Sequence, residues 1–297
     1  MKAPLGERLY PAAMLSPFAL LVAVFYVVPT FLTVFLSFTD MGFDMKWHFV
    51  GLESFRHILQ YPFLPQIIGN TAVYVVCTLF CNVVVGFLIS LLTVFLMEDS
   101  AHSRVIRTFW MLPRIIPSIV MVIMWAWFFS STDYGFLNTL LAKAGLPAVR
   151  WLSDSVMLAV VVANAFVGIS FCMLILTSAM QSIPQDLFLA AEVDGARKLG
   201  TVLFLIIPNV KWPLMFVTIV ETLALMNSYE TTMLLTNGGP MLDTTFWSLH
   251  AYKKAFNYSE FGSGAALSLI LVCISFSITL VLLKRFDFDE MMKNMRG

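Results

Sequence analysis

Charge is what this sequence has least of. Only 12% of its 297 residues are Asp, Glu, Lys or Arg, 59% are apolar, and the mean hydropathy is +0.85. Too few charges remain to hydrate the surface of a soluble domain of this length. The 18 basic and 18 acidic side chains cancel, so there is no positive field to draw nucleic acid. Cysteine is scarce as well. Cys77, Cys81, Cys172 and Cys273 all lie in apolar runs, where a thiol behaves as a small hydrophobe and neither a metal set nor a disulfide framework is expected. His48, His57, His102 and His250 are scattered through connecting segments. No GxxxxGK[ST], GxSxG or HExxH stretch occurs, which removes the phosphate cradle, the nucleophile elbow and the zinc helix. The chain is therefore read as having no catalytic site, no metal site and no cofactor of its own.

Apolar runs long enough to cross a bilayer are what it has instead. About 20 residues of helix span the roughly 30 Å hydrocarbon core, and six such runs occur, at 15–38, 67–97, 105–129, 156–180, 210–235 and 264–283. The alternation of a membrane barrel is missing, so the expected fold is all-α, with six transmembrane helices. The first run is long for a signal peptide and is followed by no small-residue cleavage site, and it reads as an anchor. Six spans place both ends on one side. Eleven basic residues fall on the side of the N-terminus, the alternate loops and the tail, namely Lys2, Arg8, Arg104, Arg107, Arg197, Lys198, Lys211, Lys284, Arg285, Lys293 and Arg296, against six on the other. Both termini are thus expected in the cytoplasm. The predicted organisation is a cytoplasmic N-terminal segment at 1–14, a membrane domain at 15–284 and a cytoplasmic tail at 285–297.

One polar stretch, 183–208, lies between two of the runs on the cytoplasmic side. Pro184 ends the fourth run, Gln185 and Asp186 can cap a short helix, and Gly195 offers a turn after Glu192 and Asp194. A short helix with an Ala-rich face suits insertion into a cleft of another protein. Inside the spans stand Arg114, Ser118, Asn164, Glu221, Asn227, Ser228 and Glu230. Polar groups at such depth face a cavity or one another.

LAAEVDGA at 189–196, followed by LIIP at 205–208, resembles the EAA loop of binding-protein-dependent ABC importer permeases, whose pattern is EAA, three residues, Gly, nine residues, then I-x-L-P. Ala190, Ala191, Gly195, Leu205, Ile207 and Pro208 match that spacing; Leu189 stands where the family carries Glu. FVGLESF at 49–55, GFLN at 135–138, LLTNGGP at 234–240 and FGSGAALS at 261–268 are similar, in order, to segments of the carbohydrate permeases of the maltose type. The resemblance implies a type I importer permease in the bacterial inner membrane. It further implies a second, homologous permease subunit, a cytoplasmic ATPase dimer that binds ATP and Mg, a periplasmic binding protein and a sugar or sugar derivative as cargo, with no nucleic acid involved. Leu189, Ala190, Ala191, Glu192, Asp194 and Gly195 would then couple to the ATPase, with Glu192 one turn on as a substitute for the absent Glu. The sugar contacts implied are Arg114 and Ser118 in the third span, Asn164, Phe166 and Gly168 in the fourth, and Glu221, Leu225 and Ser228 in the fifth. Their spacing places Arg114 with Ser118 on one helical face, and Glu221, Leu225 and Ser228 on one stripe. Two uses of the charged pair stay open: Arg114 and Glu221 neutralise each other around a neutral sugar, or Arg114 receives an acidic group. A secondary transporter with an Arg and Glu relay is the competing class, and it would carry inverted repeats; none is detectable here.

Overall fold

In hydrocarbon each backbone N–H and C=O has to find its partner within the segment, so apolar runs of this length close into helices. The computed structural model describes residues 5–98, 100–132 and 134–286, with side chains from residue 14 onward. The tail from 287, the first four residues and the side chains of Lys2, Arg8, Lys293 and Arg296 lie outside the described residues. Among those described the chain is all-α, apart from one isolated bridge between Thr39 and Phe49.

Four helices are long and apolar enough to cross a membrane unbroken: Met14–Leu36, Leu64–Leu96, Val156–Gln181 and Phe261–Arg285. They correspond to the expected first, second, fourth and sixth spans. The third and fifth are bent. Ala101–Ile115 and Ser118–Phe128 meet at 103°, and Lys198–Asn209 and Lys211–Asn227 at 66°.

Proline causes the first of these breaks. Pro117 has no N–H to give and pushes Ile116 into extended backbone, ψ 131°, which no helix accommodates. Arg114 therefore ends one half-helix and Ser118 begins the next. The expectation that a spacing of four puts them on one helical face fails at this point. In the fifth span the helix stops at Asn227, Ser228 is extended (ψ 117°), and Glu230–Leu235 forms a separate short helix. The stripe expected over Glu221, Leu225 and Ser228 is helical only as far as Leu225, with Ser228 capping the end.

The chain forms two compact units. In the first, residues 1–64 with 251–273, the FGSGAALS and FVGLESF stretches come together. Gly262 donates its N–H to the Met41 carbonyl (3.0 Å), and a Cβ at Gly262 would strike the Thr39 carbonyl. Buried Ser54 donates to that same carbonyl at 3.5 Å. Asp40 accepts from the His48 N–H (2.6 Å) and meets its Nδ1 at 3.0 Å. These bonds, the backbone one foremost, hold the Asp40 carboxyl below the usual carboxylate range.

The second unit, the described part of residues 65–250 with 274–297, is packed around the second and fourth spans. A Cβ on Gly86 would come within 2.7 Å of the Cys172 Cβ, the kind of close approach on which helix association in lipid relies. Tyr74 stacks on Phe246 at 4.1 Å. The LLTNGGP stretch is held down by threonines: Thr244 Oγ1 donates to the Gly239 carbonyl (2.7 Å) and Thr245 Oγ1 to that of Gly238 (3.0 Å). Asn70 binds the Leu242 carbonyl at 2.8 Å, and Trp247 N–H donates to Thr71 Oγ1 at 2.9 Å.

The GFLN stretch has an equally local cause. Asn138 is buried and uses both ends of its amide, donating to the carbonyls of Ser130 (3.3 Å) and Val149 (3.1 Å) while accepting from Val149 N–H and Trp151 Nε1 (both 3.1 Å). Removing that amide strands two donors. Asn138→Ala is expected to cost about 1–3 kcal/mol, seen as a lower thermal midpoint of the detergent-solubilised protein. Asn138→Asp, which keeps the acceptor, should recover part of the loss.

Candidate functional site

The break at Ile116–Pro117 and the helix end at Ser228 border one cavity. It measures about 390 Å³ and is lined by Arg114, Ser118, Trp125, Asn164, Glu221 and Ser228 among others, within the roughly 300–1,000 Å³ usual for small-molecule sites. Each broken span brings polar groups to it that a continuous helix would have no need to satisfy. Ser118 Oγ, just past Pro117, donates to Glu230 Oε1 (2.8 Å), just past the helix end at Ser228. Ser228 Oγ is reached by Tyr74 from the second span and Asn164 from the fourth, both at 3.4 Å. The Ser228 carbonyl, freed where the helix stops, accepts from Ser248 Oγ (2.8 Å).

Arg114, Ser118, Asn164, Gly168, Glu221, Leu225 and Ser228 all line this cavity. Phe166 does not. Its ring is taken up between Trp110 (5.9 Å) and Trp125 (5.6 Å), so the aromatic surface at the cavity is Trp125. Ser118 and Trp125 are seven apart on one continuous half-helix, a spacing of two turns on one face, and this was the signal in the sequence that could have found the indole. At Gly168, which lines the cavity, a Cβ would collide with the Asn82 amide. Asn82 is the residue that sequence reasoning missed altogether.

Arg114 and Glu221 line the same cavity without forming an ion pair. Glu221 is buried, 7% exposed, and its Oε2 accepts from Asn82 Nδ2 at 2.8 Å. Arg114 is exposed to the cavity, with its guanidinium over the Phe171 ring, 4.7 Å from the centroid. Among the described residues no carboxylate pairs with Arg114.

On the polar stretch the short helix spans Gln185–Val193. Its N-cap is Pro184, without a side-chain cap; Gln185 and Asp186 sit inside the first turn rather than capping it. Gly195 turns the chain at φ +75°, a left-handed conformation natural to glycine. Ala196 N–H reaches back to the Ala191 carbonyl (2.9 Å) and Gly195 N–H to that of Glu192 (3.0 Å), which closes the helix as a Schellman turn. Phe188 anchors the helix by stacking on Phe95 at 6.0 Å. Leu189 and Val193, four apart, are left 53% and 88% exposed, an exposed apolar stripe. Leu189 and Glu192 also border a cleft of about 620 Å³ whose walls include Glu98 and Lys198.

A protein-family profile described as a binding-protein-dependent transport system inner membrane component matches residues 82–286. The chain belongs to that family. It is the permease subunit of an ABC importer, a multi-pass membrane protein with no catalytic role of its own, and it works with a substrate-binding protein. The permease is 28% identical over 282 residues to the trehalose/maltose transport system permease protein MalF of Thermococcus litoralis, covering 93% of this chain and 94% of that one. It is 25% identical to the sulfoquinovosyl glycerol transport system permease protein SmoG of Agrobacterium fabrum over 286 residues, covering 94% and 91%. Its fold matches that of a bacterial alginate ABC transporter solved with an alginate pentasaccharide-bound periplasmic protein, with a TM-score of 0.78, 18% identity and 93% of each chain covered. Family and fold both give the type I permease, and neither favours a secondary transporter.

Proposed function

We propose that this permease passes a sugar derivative bearing an acidic group through the 390 Å³ cavity, after a periplasmic binding protein has delivered it. The relatives named above for trehalose/maltose and sulfoquinovosyl glycerol point to sugars. The observation that carries the acidic group is that the two charges do not pair: Glu221 is bonded to Asn82, whereas Arg114 rests on an aromatic face with its forked donors unspent. A planar guanidinium with free N–H groups matches a carboxylate, sulfonate or phosphate. Ser118, Asn164 and Ser228 supply hydroxyl and amide partners for sugar hydroxyls, while Leu225 and Trp125 provide the apolar wall. Phe166 and Gly168 act through what they pack against, Trp125 and Asn82.

The remaining machinery follows the same reading. The helix Gln185–Val193, with Leu189, Ala190, Ala191, Glu192, Asp194 and Gly195, docks on one copy of a cytoplasmic ATPase dimer that binds ATP and Mg. A second, homologous permease completes the pathway, and both termini of this chain are cytoplasmic. With Leu at 189 and Val193 exposed beside it, docking rests on apolar contact more than on an ion pair.

Two measurements test this. Cells carrying the whole transporter should take up radiolabelled glucuronate or sulfoquinovosyl glycerol in preference to maltose. Arg114→Ala should cut uptake of the acidic compound about 10–100-fold, the loss of roughly 1.5–3 kcal/mol for a hydrogen bond to a charged group, with the complex still assembled. Arg114→Lys should rescue little, since a point charge does not reproduce the fork. Full uptake by Arg114→Ala, or a preference for maltose, overturns the reading of the cavity.

For the coupling helix, a Cβ added at Gly195 meets nothing within 4 Å. In the isolated chain Gly195→Asn should therefore be tolerated, because Asn accepts the left-handed backbone. Gly195→Asp adds charge at the docked face and should abolish ATPase co-purification and transport while the chain still inserts. Glu192→Ala should weaken association several-fold. Normal substrate-stimulated ATPase activity in Gly195→Asp complexes would show that the helix docks elsewhere or not at all.

A further inference from the structure

Asn82 lies on the second span, outside every motif that marks the family, and is fully buried. Its Nδ2 donates to Glu221 Oε2 at 2.8 Å, which is the one hydrogen bond that Glu221 receives among the described residues. Its other end, Oδ1, is buried with no hydrogen-bond partner. A buried amide oxygen without a partner costs on the order of 1–3 kcal/mol, so packing alone does not account for an asparagine here. Gly168 on the fourth span leaves the space for this amide, since a Cβ at 168 would strike Nδ2, Cγ and Oδ1. Three spans thus meet at one point: the fourth by giving up a side chain, the second by filling the gap with an amide, and the fifth by placing a carboxylate on that amide.

Arg114 lines the same cavity as Glu221, and opposite charges that share a cavity attract. Something has to keep Glu221 from neutralising Arg114. We propose that Asn82 is that group: a positioning residue that fixes Glu221 on the second span's side of the cavity, leaves the Arg114 guanidinium unpaired, and so sets the transporter's preference for acidic over neutral cargo. The proposal rests on the reading of Arg114 as the acidic group's receptor. Asn82 touches no substrate; it acts on cargo choice only through Glu221.

The hypothesis makes an uncommon demand, that a second substitution restores what the first removes. In Asn82→Leu the space stays filled but the carboxylate loses its donor and turns to Arg114. Uptake of radiolabelled glucuronate and sulfoquinovosyl glycerol relative to maltose, measured in cells carrying the complete transporter, should fall at least fivefold. Adding Glu221→Gln to Asn82→Leu removes the competing charge and should return the preference to within about twofold of the Glu221→Gln single variant, which is the signature of coupled sites. Gly168→Ala, which displaces Asn82 without altering it, should lower the preference in the same direction and keeps the proposal testable should Asn82→Leu fail to assemble. Assembly is followed separately by co-purification of the ATPase. If the parent transporter shows no preference for the acidic compounds, or takes up none of the three, the reading of Arg114 fails and the role of Asn82 with it. If the parent does prefer them and Asn82→Leu and Gly168→Ala leave that preference unchanged, or if Glu221→Gln does not restore it, Arg114 keeps its role and Asn82 is only structural.

Discussion

A helix in hydrocarbon can stop only where something else satisfies the groups it releases. Two spans of this permease stop part-way, at Ile116–Pro117 and at Ser228–Tyr229, and the polar architecture follows from that constraint. Ser248 binds the freed Ser228 carbonyl, Tyr74 and Asn164 converge on the Ser228 hydroxyl, and Ser118 reaches across to Glu230. These side chains come from otherwise apolar helices, where they are costly unless they have partners. The cavity exists because the breaks do. A continuous third span would carry Arg114 and Ser118 along one face and would leave Glu230 without the hydroxyl that now meets it.

Close backbone approach is the second requirement. Lipid tails are as apolar as the side chains they replace, so helices gain little by hiding apolar surface from one another and associate through fit. Gly86 against Cys172 brings the second and fourth spans close, and Gly168 then admits a polar side chain between them where another residue would admit none. At helix starts the same residue type works against backbone: Gly262 lies on the Thr39 carbonyl and Gly135 on that of Ser130. These motifs are thus local staples, each built from one small residue and one or two buried polar ones.

The spans were legible because bilayer thickness imposes a length that no tertiary contact overrides. Run 156–180 became Val156–Gln181 and run 264–283 became Phe261–Arg285. The breaks were only half legible. Pro117 announced the first, yet reading Arg114 and Ser118 as helical neighbours ignored the rule that the residue before a proline leaves the helix. Nothing in TLALMNSYE (222–230) announces the second, since Ser228 carries no ring and no glycine, and the stop is set by partners arriving from Tyr74, Asn164 and Ser248. The same limit hid Asn82. Its neighbours CNVVVG (81–86) read as plain helix, and its importance comes from Glu221, 139 positions away. Residues that act through chain-distant partners leave no periodic trace. Residues that act through their own helix, as Gly195 does in closing the turn after Val193, are visible in the sequence.

Connectivity ties the helix Gln185–Val193 to the cavity. Gln185–Val193 follows the fourth span after only a few residues, and that span carries Asn164 and Gly168; on its other side Lys198–Asn209 leads into Lys211–Asn227, which carries Glu221 and Leu225. On the proposed function, force applied by an ATPase at the exposed Leu189 and Val193 stripe reaches the cavity along both helices together. The junctions suit such transmission. On the fourth-span side Met180 and Ile183 are buried, and they cluster with Ile206 and Val210 from the fifth-span side, so the two arms are packed to each other next to the helix that would drive them. At the cavity end the fourth and fifth spans are joined by the bond from Asn164 to Ser228, and Asn82 bridges Gly168 and Glu221 from the second span. A displacement of the pair relative to the second span would act first on the Asn82 contact with Glu221. On the proposed function, the contact that fixes Glu221 would thus lie on the route from ATPase closure to how strongly Arg114 holds its cargo.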